Sequence, residues 1–374
     1  MVANEVLPML KVLHPPCTLV WSPLELNLDK HLAEGLWRIV RNADGLGHIE
    51  DEGWLAILGL TEWCAMRGGL RSDNHDGSLA EDDPSLQAFR SLHLILHAAE
   101  LKDSLRVDQY PQIVRSVRCL VEAGERGSCP KLSIAGLDLL QVLHTRMESM
   151  VVKDDESEHL LKCWRPIIEA IQEPAEKSRN ASTRQQAISL LTDTLLDRHG
   201  ACIPLDGLCD IMNKTCIPLA SSRITDLLRI PYESGIDLEE TMIELELCIS
   251  LLFKPFLHHL KALVSAKQEF VGIWISMLGI LTQLLGDEPS QKKEDVEDGV
   301  VSRSTLFKTS KELASEHLRN AIMVLAAMGV LIGNDSESTG PAEANEVSSV
   351  TWAAIGSIGY CKPYLDEWRN SASQ

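Results

Sequence analysis

The chain has 374 residues, more than one hydrophobic core usually organises, so several subdomains or stacked repeats are expected. Hydrophobic residues at 45% exclude global disorder, and aromatics at 5% in a Leu- and Ile-rich chain favour helix-on-helix packing over sheets. A net charge of −19 without any stripe of Lys and Arg excludes nucleic acid as a direct partner and gives anionic lipid little to attract.

Residues 1–13 lack a basic start followed by an unbroken apolar run, so no secretory signal is read there. A first helical block is expected over 1–152. Within it Trp54 opens an apolar helix, and Ser85–Leu101 places Leu86, Phe89, Leu92, His93 and Leu96 on one face. The pattern breaks at Arg67–Pro84, Lys153–Glu158 and Gln172–Thr183. A second block is expected over 153–285. There Trp164 and Trp274 open further apolar helices, and Thr183–His199 lines up Ala187, Ile188, Leu191 and Leu195. Leu238–Leu263 keeps helical spacing, with Pro255 expected to kink or break it. Then follow an acidic mobile loop (286–299), a helical stretch (300–332), a second mobile loop (333–349) and a C-terminal helix (350–374).

Three helix starts are predicted at Ser182-Thr-Arg-Gln185, Asp237-Leu-Glu-Glu240 and Thr309-Ser-Lys-Glu312. Each puts a capping oxygen three residues before Glu or Gln. No stretch alternates like a strand. The fold expected is all-α: an armadillo/HEAT-like α-solenoid of antiparallel helix pairs.

The search for chemistry finds no phosphate-binding loop, no zinc-protease helix, no nucleophile elbow and no Cys-x-x-Cys. His199, Cys202, Cys209 and Cys216 offer four soft ligands, but Cys209 and Cys216 are two helical turns apart, and that spacing reads as a buried face. His93 and His97 stand at i, i+4 without a third ligand and read as partly buried helical residues. Of the adjacent His258 and His259, one is expected in solvent and the other packed. The runs Glu81-Asp-Asp83, Asp154-Asp-Glu156 and Glu294–Asp298 lack the ligand spacing of a calcium loop and read as solvated loops. No catalytic residue, cofactor or metal is assigned.

The ten cysteines (Cys17, Cys64, Cys119, Cys129, Cys163, Cys202, Cys209, Cys216, Cys248 and Cys361) form no paired framework, which suits a reducing, cytosolic setting. The longest apolar runs are Phe270–Leu285 and Ala321–Gly333. The first contains Ser276, Thr282 and Gln283 and reads as a buried helix before an interfacial one. The second is too short to span a bilayer, and no transmembrane segment is expected.

An ordered set of motifs carries a resemblance. It starts with Gly35-Leu-Trp-Arg-Ile-Val-Arg-Asn and Gly53-Trp-Leu-Ala-Ile-Leu-Gly-Leu, and continues through Leu86–Leu101 and Gly136–Arg146. Cys163-Trp-Arg-Pro-Ile-Ile follows, then Ser182-Thr-Arg-Gln-Gln-Ala-Ile-Ser-Leu-Leu191. The tail adds Trp274-Ile-Ser-Met-Leu, Leu318-Arg-Asn-Ala-Ile-Met-Val-Leu, Val350-Thr-Trp352 and Pro363-Tyr-Leu-Asp-Glu-Trp368. Together these resemble the region downstream of the Sec7 exchange domain in Golgi-type large Arf guanine-nucleotide exchange factors, the brefeldin-A-resistance-factor and GNOM type. The matching positions are Trp164, Arg184, Ala187, Ile188, Leu191, Trp274, Trp352 and Trp368, all expected to be scaffold. Arg184, at the wrong end of its helix for the dipole, is expected to meet an acid nearby.

The resemblance implies a regulatory, non-catalytic region of such a factor, since nothing here looks like the exchange domain. It implies a cytoplasmic protein peripheral to Golgi membranes, working through protein partners such as Arf- or Rab-type GTPases, or through self-association of the full-length factor. The alternative is a free-standing armadillo-like interaction adaptor, and an upstream Sec7-like coding region would separate the two.

Overall fold

The structure is a computed structural model that describes residues 23–42, 51–68, 80–97, 109–151, 157–196, 203–229, 238–286, 303–331 and 342–372. Every element among these residues is helical. The chain divides into two compact units, Met1–Thr194 and Leu195–Gln374; the sequence had placed a block boundary at 152/153.

In the first unit the helices are α1 (Pro23–Arg41), α2 (Asp51–Arg67), α3 (Pro84–His97), α4 (Tyr110–Arg126), α5 (Pro130–Val151), α6 (Ser157–Lys177) and α7 (Ala181–Leu196), the last running to the boundary. From α1 to α6 each helix packs on the next, and α1 with α3, α2 with α4, α3 with α5 and α4 with α6 add the next-neighbour contacts of stacked helix pairs. The α4–α5 hairpin shows what permits the close approach. A Cβ on Gly124 would stand 2.3 Å from Ser133 Oγ and 2.6 Å from its backbone nitrogen, and one on Gly136 would stand 2.7 Å from Val121 Cγ2. Only hydrogen fits there. The Ser133 hydroxyl spans the gap and donates to the Val121 carbonyl at 3.0 Å.

Several local expectations are corrected. The acidic run before α3 is no plain solvated loop: Asp82 pairs with Lys30, and Asp83 is buried and caps the helix, accepting from the Ser85 backbone N–H at 2.8 Å. The face that α3 buries is Ala88, Ser91, Leu92, Ile95 and Leu96; Leu86 and Phe89 are half-buried, and His93 and His97 are exposed. Small Ser91 can go inside because its hydroxyl is satisfied by the Gln87 carbonyl at 2.8 Å.

The break read over Gln172–Thr183 shrinks to Ser178–Asn180, because α6 continues to Lys177 with Pro166 and Pro174 inside it. Burial of Ile167, Ile168, Ala170, Ile171 and Ala175 holds that helix through its missing N–H groups. The α7 cap is Asn180 rather than Ser182: its side-chain oxygen accepts the Thr183 N–H at 3.0 Å. Nor do Trp164 and Trp274 open their helices, which begin at Ser157 and Lys267; each lies about two turns inside.

The second unit contains α8 (Leu205–Ile211), a π-helical turn (Met212–Cys216), α9 (Ile217–Arg229), α10 (Leu238–His258), α11 (Leu260–Ser265), α12 (Lys267–Leu285), α13 (Arg303–Ala327), α14 (Ala342–Ser357), a 3₁₀ turn (Gly359–Tyr364) and α15 (Leu365–Ala372). The π turn lies just before Pro218, which has no N–H to return to the Lys214 carbonyl, so the ladder widens there. Pro255 stays inside α10, and the break comes at His259, whose N–H bonds the Pro255 carbonyl at 3.0 Å.

At the centre lies α12, packed against α8, α9, α11, α13 and α14. It is the one helix among the described residues long and apolar enough to cross a membrane, and half of that stretch is buried inside the unit. Phe270, Ile273, Trp274, Met277, Leu278, Ile280, Leu281, Leu284 and Leu285 are the buried side chains, so its apolar content is explained by neighbours on several sides.

The start predicted at Thr309 falls inside α13, which begins at Arg303 because no breaker separates the two positions. Residues 342–349, read as loop, form the first half of α14, and the single C-terminal helix is instead α14, the 3₁₀ turn and α15, divided near Ile358 and Pro363. The segments 287–302 and 332–341, which hold most of both predicted loops, lie outside the described residues.

Candidate functional site

Seven of the eight family-matching positions are buried, so they form framework rather than a pocket. Trp164 is 4% exposed, Trp274 1%, Trp352 6% and Trp368 4%, and Ala187, Ile188 and Leu191 are fully inside. They do not converge on one place. Trp164, Arg184, Ala187, Ile188 and Leu191 belong to the first unit, and the other three tryptophans to the second.

In the first unit Trp164 of α6 meets His144 of α5 edge-on, ring centroids 6.0 Å apart. Its indole N–H finds no acceptor among the described residues. Arg184 is half-buried, and its Nη1 donates to the carbonyl oxygens of Ser178 (3.1 Å) and Arg179 (3.2 Å) just past the C-terminus of α6. That is the negative end of α6, so a cation in the first turn of α7 is placed against a neighbouring dipole that suits it. The same turn is held by Glu125 of α4, which accepts from the Ser178 hydroxyl at 2.8 Å and the Arg179 N–H at 3.3 Å. Glu125, Asn180 and Arg184 thus pin one three-residue turn from three directions.

The second unit is pinned by its aromatics. Phe256 of α10 stacks on Phe270 (6.1 Å) and Trp274 (5.4 Å) of α12, and Phe253 stacks on His317 of α13 (5.4 Å). The Trp274 indole donates to Thr351 Oγ at 2.8 Å, and Thr351 donates in turn to the Val347 carbonyl at 2.7 Å. This relay ties α12 to α14. Trp352 carries the Arg369 guanidinium over its ring at 5.5 Å, and Trp368 stacks on Tyr364 at 6.0 Å. Glu125, His144 and Thr351 were not singled out from sequence, because their roles depend on partners 20 to 77 residues away.

The titratable groups do not gather into a reactive site among the described residues, where no three His, Cys, Asp or Glu side chains come together to hold a metal. Cys209 and Cys216 are buried, as their spacing predicted, while His199 and Cys202 lie outside the described residues. Burial pushes the thiols of Cys216 and Cys119 up to about 12 and that of Cys361 to about 11. At neutral pH they are held as thiols, the weaker nucleophile. His258 is exposed and His259 buried; the His259 ring bonds the Leu195 carbonyl at 2.8 Å, and burial lowers its pKa. On the exposed face of α3, the His93 and His97 ring centroids lie 4.2 Å apart, and the pKa of His97 is likewise lowered, first by desolvation and then by His93 and Arg146.

At the C-terminal end of α13, Met323 and Val324 are 38% and 41% exposed, and Met328, just past the helix, is 40% exposed.

No curated protein and no solved structure matches the chain. A family model described as "GBF1-like, tetratrico peptide repeat region" matches residues 164–359, just over half of the sequence. The tetratricopeptide unit, like those of armadillo and HEAT proteins, is a set of antiparallel helices that bury their apolar faces on neighbouring repeats. The matched span contains Trp164, Arg184, Ala187, Ile188, Leu191, Trp274 and Trp352, together with the Asn180 cap and the Trp274–Thr351 relay. On that match the chain belongs to the family of GBF1-like tetratricopeptide-repeat regions, helical parts of GBF1-type Arf exchange factors.

Proposed function

We propose that this chain is a non-catalytic, regulatory and scaffolding helical region of an Arf guanine-nucleotide exchange factor acting in Golgi vesicle traffic, placed downstream of the Sec7 domain in the full-length factor. The observation that carries the proposal is the family match over 164–359. The burial of its family-matching side chains supports the scaffolding part, since stacked helices of this kind present long outer surfaces to other proteins. Its partners are proteins, either Arf- or Rab-type GTPases or further copies of the exchange factor. Its place is the cytoplasm, peripheral to Golgi membranes.

The test is to express the tagged full chain in cells, separate cytosol from Golgi membranes, and identify what purifies with it. Association with Golgi membranes or known trafficking proteins is the expected result. Recovery of the folded chain with neither would contradict the proposal.

A further inference from the structure

We propose that His93 and His97, on the exposed face of α3, form a two-histidine site for a divalent transition-metal ion of the zinc class. The inference stands on this one helix and does not need the trafficking reading.

Residues four apart lie one above the other on a helix, so both imidazoles leave α3 on the same side. Both side chains are exposed, and burial of Leu92, Ile95 and Leu96 in the core fixes the opposite face inward. The two rings lie side by side, with centroids 4.2 Å apart and planes inclined by 32°. Imidazoles that share an ion at about 2.0–2.1 Å hold their centroids roughly 4.5–5 Å apart, so a small rotation of two exposed side chains closes the pair on a metal. Half-buried Phe89, four residues earlier, sets its ring 5.8 Å from His93 and anchors the row to the body of the unit.

Neither ring has a hydrogen-bond or ion-pair partner among the described residues, so the ring nitrogens are open to a ligand. The other neighbouring pair is not: His258 and His259 meet edge-on at 90°, and the His259 ring is already bonded to the Leu195 carbonyl. Desolvation, His93 and Arg146 of α5 together hold His97 towards its neutral form, which is the form that offers a lone pair. Imidazole nitrogen suits zinc, nickel and copper, whereas magnesium and calcium require oxygen ligands. Among the described residues no third His, Cys, Asp or Glu side chain joins the pair. The remaining coordination positions therefore go to water, and the Arg146 charge works against a second cation nearby. The ion is held exchangeably, unlike that of a closed structural site.

The test uses the full chain, stripped with a chelator and titrated with zinc chloride, with magnesium chloride as comparator. Uptake is read by calorimetry and located by the ring-nitrogen resonances of isotope-labelled histidine. The expected result is saturable zinc uptake in which the His93 and His97 resonances move first and together, with no uptake of magnesium. His93→Asn or His97→Asn should each weaken it about a hundredfold, because the second ring acts at high effective concentration once the first has bound. The melting temperature should hold in both variants, since both side chains are exposed. Affinity unchanged in either variant, an equal loss in His258→Asn, or zinc shifts confined to other histidines would overturn the proposal. So would equal uptake of magnesium, or no saturable zinc uptake by the folded chain.

Discussion

Trp164 and Trp274 do the same work with different polar accounting. Each fills a seam between helices, and an aromatic of this size buries on the order of 150–250 Å². Trp164→Ala should destabilise the first unit by about 3–5 kcal/mol in chemical denaturation, because the seam between α5 and α6 would be left with a cavity. An unchanged transition would show that this side chain does not hold the seam. Thr351→Val keeps the volume beside Trp274 but strands its buried indole N–H, and should cost about 1–3 kcal/mol. His259 gives a pH dependence. Its folded pKa lies below the ordinary value near 6.5, so the unfolded chain binds more protons as pH falls through that region. The stability it contributes is therefore present above about pH 6.5 and lost on acidification below it. His259→Gln, compared with the parent chain in melts from pH 7.5 to 5.5, should flatten that slope.

The helices themselves were largely legible, and their joints were not. Ala187, Ile188, Leu191 and Leu195 repeat at helical spacing and are all fully buried, as periodicity predicts. On α3 the same reasoning was half right: Leu92 and Leu96 are buried, but Leu86 and Phe89 are half-buried and His93 is exposed, while the structure buries Ala88 and self-satisfied Ser91. Periodicity weighs a side chain's apolarity and has no view of whether its hydroxyl is bonded. The turn at Ser178–Asn180 was read as long, over Gln172–Thr183; Pro174 would break an isolated helix, yet burial against neighbouring helices carries this one through it. Asn180→Ala should cost about 1 kcal/mol through the lost cap, measurable by equilibrium unfolding, whereas Ser182→Ala should cost much less. Gly136→Val should be far more harmful than Gly279→Val. The first would drive a side chain into Val121, and the second meets open space.

For the molecule as a whole, composition pointed to an all-helical protein, and every element among the described residues is helical. The eight positions singled out from sequence were expected to be scaffold; seven of them are buried, and Arg184 is half-buried. The exposure of Met323, Val324 and Met328 was hidden in the same sequence, because Ala321–Gly333 reads as one apolar run and only packing divides it into a buried face and an exposed one. The account's central claim is that this GBF1-like repeat region acts as a platform and does not itself release nucleotide. The most direct measurement is the rate of fluorescent GDP release from Arf with the folded full chain added in excess. Release at the spontaneous rate is predicted, and acceleration that rises with the concentration of the chain would contradict the claim.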